Sequence, residues 1–163
     1  MLGAALSLSP ATLARFRAGA LFYGAYDPAL DSESCRRFGA EGEWLSAKEM
    51  AWCWKTYLAR DEDRADPRAA PLRASDAALA ALPPLFLCAA EIDPLRDDTV
   101  RLAARLRGAG ARHALSVRAG MGHSFLGFAR MVDEAQRVLQ DAADFIEAAW
   151  ADAPAAKETR VSP

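Results

Sequence analysis

Two kinds of hydrophobic pattern alternate along this chain. Continuous apolar runs stand at 18–26 and 85–90, a shorter strand-like run at 113–117, and apolar residues recur every three or four positions in the stretches around them. The two continuous runs predict strands buried on both faces, as in a parallel sheet, and 113–117 predicts a third strand. At the start, Leu2, Ala5 and Leu6 share one face, so 1–8 reads as the end of a helix with no capping residue ahead of it. Pro10 closes that helix, and 11–18 reads as a connector or a short second turn. Asp27-Pro28 stops the first strand. Ser46 with Glu49 forms a capping-box pattern, and Met50, Cys53, Trp54, Tyr57 and Leu58 then line one helical stripe, with Trp52 off it. The charged stretch 59–75, with Pro67 and Pro71, reads as loop, and 76–82 as a short helix or turn. After the strand at 85–90, Asp97 or Asp98 is expected to cap a helix whose apolar face carries Val100, Ala103, Ala104 and Leu106. Gly108 and Gly110 end that helix. Met131, Ala135, Val138, Ala142, Phe145 and Ala149 predict a long helix over 129–150.

Strands alternating with helices imply an α/β fold with a parallel sheet, flanking helices and right-handed crossovers. The stretch 27–82 is then a helical insertion after the first strand. Three strands with so long an insertion look like half of a domain, spanning 1–150. The polar stretch 151–163 reads as a disordered tail.

Composition narrows the function. The chain has 163 residues, 52% of them hydrophobic, which is enough for one packed core. Twenty basic against 22 acidic residues leave a net charge of −2 without a basic patch, so nucleic acid is not an expected partner. No apolar run reaches the roughly 18 residues of a membrane span, and the N-terminal residues lack the positive region of a signal peptide. Cys35, Cys53 and Cys88 are odd in number and far apart, with no CxxC pair, and only His113 and His123 could add imidazole ligands. No metal site is expected. The thiols read as reduced and the protein as cytoplasmic.

In an open α/β sheet, ligands sit at the carboxyl ends of the strands. Asp93 follows the second apolar run and His123 the third, one strand–helix–strand crossover apart. If those strands are neighbours, a carboxylate can hold the imidazole Nδ1 proton and leave Nε2 as a general base. Asp93 before Pro94 is equally a turn former, and His123 alone would be an ordinary loop histidine. His113, opening a strand beside Arg112, reads as structural.

The motifs Asp93-Pro94-Leu95-Arg96-Asp97-Asp98 and Met121-Gly122-His123-Ser124-Phe125 resemble the α/β-hydrolase fold-3 group, the hormone-sensitive-lipase-like carboxylesterases. Leu21-Phe22-Tyr23-Gly24 with Asp27, Arg36-Arg37-Phe38, Trp52, Trp54 and 65–68 are similar to other parts of that group. The resemblance implies the C-terminal half of an α/β-hydrolase fold, a carboxylic ester hydrolase that needs no cofactor, and a small acyl ester as substrate. It makes Asp93 the triad acid and His123 the base. It also allows a homodimer, since relatives often pair through the last strand and helix. The family's serine on a G-x-S-x-G elbow and its H-G-G-G motif are absent from these residues. The expectation is a truncated chain, inactive alone; the alternatives are a non-catalytic ligand-binding relative or a decayed fragment. Met50, Trp54 and Tyr57 fit a core first, with Trp54 and Phe125 as the substrate-pocket candidates. Glu91 has no firm role at this stage.

Overall fold

The computed structural model describes residues 2–40 and 44–152. The strands β1 (Gly19–Phe22), β2 (Leu85–Ile92) and β3 (His113–Gly122) form one parallel sheet in the order β1-β2-β3. The helices are α1 (Leu2–Leu6), α2 (Pro10–Leu13), α3 (Glu33–Phe38), α4 (Ala47–Tyr57), α5 (Asp76–Ala80), α6 (Arg96–Gly108) and α7 (Asp133–Ala151).

Residues alternate along β2 between two cores, as the two-residue period of a strand requires. Leu85 and Leu87 join Leu21, Leu79, Leu102 and Leu106 on the α6 side, whereas Phe86, Cys88 and Ala90 join Phe125, Val138 and Ala142 on the α7 side. Covering both faces is what makes the second run continuously apolar. Leu102 sits in the α6 core with no exposed surface. Truncating it to alanine is expected to cost about 2–5 kcal/mol from lost transfer energy plus a residual cavity; a urea melt shifted by less than about 1 kcal/mol would contradict this packing.

Several elements depart from expectation for local reasons. β1 stops at Phe22 rather than reaching residue 26, because Tyr23 adopts φ +37° and turns the chain out of the sheet. The first part of the 27–82 insertion contains α3, capped by the Ser32 hydroxyl accepting the Cys35 N–H at 3.1 Å. The 59–75 stretch holds two 3₁₀ turns, Asp61–Ala65 and Pro71–Arg73. The expected capping box on α4 forms, with Glu49 Oε2 accepting the Ser46 N–H at 2.8 Å and Ser46 Oγ accepting the Glu49 N–H at 3.1 Å.

Asp97 and Asp98 do not cap α6. Leu95 stands at the cap position, and both aspartates lie within the first turn with their carboxylates directed at the insertion. Val100 is exposed; the buried face of α6 is Thr99, Leu102, Ala103 and Leu106. β3 runs on to Gly122, and a 3₁₀ turn at Phe125–Phe128 delays the last helix to Asp133. Most of the tail read as disordered, 153–163, lies outside the described residues.

Candidate active site

Asp93 leaves the carboxyl end of β2 fully buried, and its two oxygens do different work. Oδ1 accepts the Leu95 N–H at 2.8 Å, closing the turn that an Asp-Pro pair favours. Oδ2 lies 2.9 Å from His123 Nδ1. One carboxylate therefore both closes the turn and contacts the imidazole. An ionised carboxylate can only accept, so a carboxylate bonded at Nδ1 selects the tautomer whose Nε2 keeps its lone pair, the form a general base requires.

A bulge in β3 brings the two residues level. Ala90 pairs with Arg118, but Ile92 pairs with Gly122, so β3 spends two extra residues over this span. Continued one residue past the strand ends, the register before the bulge would set Asp93 level with Met121, and the register after it sets Asp93 level with His123. Gly120 makes the bulge with φ +70°, where a residue without Cβ avoids strain. Glu91 Oε2 secures it by accepting the Gly120 N–H at 2.7 Å.

The insertion is bolted to the turn that carries Asp93. Ser34 Oγ donates to the Pro94 carbonyl at 2.9 Å and accepts the Asp97 N–H at 3.1 Å, and Asp97 Oδ2 accepts the Ser34 N–H at 2.8 Å. Arg96 pairs with Asp97 and lies over the Phe38 ring. Although burial opposes ionisation of Asp97, the Ser34 and Arg96 bonds outweigh it and hold its carboxyl below the usual range. Asp98, buried deeper, accepts the Tyr26 and Asp27 N–H groups at 2.7 and 3.0 Å, fixing the loop after β1. Here burial dominates and pushes the carboxyl up to about 6.

An apolar cleft of about 310 Å³ opens beside His123, walled by Trp44, Met121, Phe125, Phe128 and Val132. Trp44 meets Phe128 edge-on at 5.3 Å. Phe125 thus lines this cleft with His123. Trp54 does not: it is buried with Met50 and Leu95 and borders a separate cavity of about 450 Å³ against β1. Two residues at the site escaped sequence reasoning. Tyr23 packs against the His123 ring at 4.9 Å; the rule that sites form at strand carboxyl ends would have found it, since it is the first residue after β1. Trp44 had no sequence signal, being one aromatic residue in a polar stretch.

No metal-ligand cluster occurs among the described residues. No helix among them is long and apolar enough to cross a membrane. Cys35, Cys53 and Cys88 are free thiols. Ser9, Ser32, Ser46 and Ser75 cap helices, and Ser34 belongs to the latch just described. Among the described residues no serine is hydrogen-bonded to His123.

The model of a family described as alpha/beta hydrolase fold matches residues 1–127. An ethyl acetate hydrolase from Pseudomonas putida is 34% identical over 127 residues, covering 78% of this chain and 39% of the relative. An acetyl esterase from Salmonella typhi is 34% identical over 128 residues with the same coverage. A structure from work on two fungal esterases from Rhizomucor miehei superposes with a TM-score of 0.84 at 25% identity, covering 91% of this chain and 48% of that one. The chain therefore spans about 39% of the length of these curated relatives.

Proposed function

Because this chain belongs to the alpha/beta hydrolase fold family, we propose that it supplies the acid and the base of a serine-dependent carboxylic ester hydrolase. The observation that carries the reading is the bond from His123 Nδ1 to the buried Asp93 Oδ2 at 2.9 Å, made beside an open apolar cleft. The likeness to enzymes named acetyl esterase and ethyl acetate hydrolase supports a small acyl ester as substrate.

In this reading a serine hydroxyl attacks the ester carbonyl carbon. As the Oγ–C bond forms, the hydroxyl proton passes to His123 Nε2 and the carbonyl π pair moves onto oxygen. Asp93 keeps its proton-free form and stabilises the imidazolium. Collapse breaks the carbon–alkoxy bond, and the departing alkoxide takes the Nε2 proton. Water repeats the sequence: it gives a proton to Nε2, bonds to the acyl carbon and expels the serine oxygen, which recovers the proton. The acid is released and the site is restored. Phe125 and the other cleft walls would hold the apolar part of the ester; Trp54, in its separate cavity, would act through packing of the insertion.

The serine would come from polypeptide outside these 163 residues, a reading consistent with the share of the relatives that the chain spans. The 163-residue chain alone is accordingly expected to hydrolyse p-nitrophenyl acetate no faster than buffer and to show no acyl burst. Joined to the part of the Pseudomonas putida ethyl acetate hydrolase that precedes the matched region, it is expected to gain turnover and a burst. Turnover by the isolated chain, or a folded fusion without any, would overturn the proposal.

A further inference from the structure

We propose that Tyr23 is a positioning residue for the base: its ring, delivered by a left-handed backbone turn at the end of β1, holds the His123 imidazole with Nδ1 on Asp93. The inference rests on the functional reading of Asp93 and His123 above.

The first observation is conformational. Among the described residues only Tyr23, Leu30 and Ser124 adopt positive φ without being glycine, and two of these three adjoin His123. Left-handed backbone is unfavourable for a residue with a bulky side chain, and such conformations persist only where surrounding contacts impose them. Gly24 stands one position on and could have taken the turn without strain. That glycine leaves room for the Tyr26 hydroxyl, which a Cβ there would approach to 2.3 Å, and the positive φ falls on Tyr23. Tyr23 is pinned in place by its N–H, which donates to the Cys88 carbonyl at 2.7 Å as the last rung between β1 and β2.

The second observation is the destination of the ring. It meets His123 edge-to-face at 4.9 Å and Phe125 at 6.0 Å, so His123 has the Asp93 carboxylate at Nδ1 and an aromatic wall beside it. A single hydrogen bond leaves the imidazole free to swing about its side-chain torsions; a ring packed against it removes that freedom. The phenol also stays neutral: burial first, then the charges of Cys88 and Asp93, raise its pKa. No second anion therefore competes with Asp93 for the imidazole proton.

The test is proton NMR of the 163-residue chain. The Nδ1 proton held between His123 and Asp93 should give a low-field resonance. The only other histidine, His113, bonds through Nδ1 to the Ala111 carbonyl, and His113→Gln removes its contribution. Tyr23→Phe is expected to keep the resonance. Tyr23→Asn, whose side chain tolerates left-handed backbone, is expected to lose it or to exchange its proton with water at least tenfold faster. Tyr23→Gly, which also relieves the backbone, should do the same while melting at or near the wild-type temperature; this variant decides the matter should the asparagine variant fail to fold. Retention of the resonance at its wild-type exchange rate in a folded ring-less variant, or its loss in Tyr23→Phe, would overturn the proposal. Failure of the hydrolase reading would appear elsewhere, as a folded fusion without turnover, and would leave the dependence on the Tyr23 ring intact. Absence of the resonance from wild type would instead strike the Asp93–His123 pairing itself.

Discussion

In the fused, nucleophile-bearing enzyme, Asp93→Asn is expected to lower kcat/KM for p-nitrophenyl acetate by about ten-thousand-fold, with little change in KM. The size follows from the division of labour between the two oxygens. Oδ1 accepts the Leu95 N–H, so the asparagine carbonyl must stand there. Its amide nitrogen then faces His123 Nδ1, where Oδ2 stood. An amide nitrogen donates, which forces Nδ1 to accept and moves the proton to Nε2. The base loses the lone pair that would take the serine proton, although the site keeps its shape. His123→Ala removes the base outright and is expected to cost about as much or more. Either variant retaining activity within about tenfold of wild type would sink the assigned roles.

A stability effect at least as large as that of Leu102→Ala is expected at Asp98. Its buried carboxylate accepts two backbone N–H groups from the loop after β1, and Asp98→Ala leaves both without their acceptor. At about 1–3 kcal/mol for each donor left unsatisfied, the loss is about 2–6 kcal/mol. The same group makes stability depend on pH. Burial is the main cause raising its pKa from 3.8 to about 6 in the folded chain, against the lowering effect of the two N–H bonds. The folded state therefore binds the proton more tightly than the unfolded state. The stabilising contribution is complete below about pH 3.8 and fades as pH rises through about 6. Asp98→Asn keeps an acceptor for both donors and carries no titrating proton. Between pH 4.5 and 7.5 wild type is expected to lose about 2 kcal/mol relative to Asp98→Asn in urea melts. Equal slopes with pH for the two proteins would contradict this account.

Both predictions concern aspartates of one short motif, and their different fates mark how far sequence reasoning reached. That Asp93 and His123 could meet was legible because each follows a strand-forming run, and strand ends are where an α/β sheet brings loops together. Asp97 and Asp98 looked like caps because Asp near a helix start usually is one. Their actual partners are Ser34, Tyr26 and Asp27, more than 60 residues away in sequence, and no local pattern encodes them. Trp54 was placed on the buried stripe of α4 correctly, but a helical period says only that a face is covered, not which cavity it borders. Trp44 and Phe128 meet across the chain, and neither alone marks a cleft.

By itself, the sequence determined what depends on neighbours a few residues apart: where the three strands begin, the buried middle strand, the long helices after it, the α4 capping box, and an aspartate and a histidine after successive strands. Whether those two groups would touch was decided only in three dimensions. The bulge at Gly120, held by Glu91, advances β3 by two residues and brings His123 level with Asp93. The left-handed turn at Tyr23 sends a ring from the far strand against the same imidazole. Strand register and ring placement come from contacts between segments far apart in the chain, which a period of two or of 3.6 residues cannot carry.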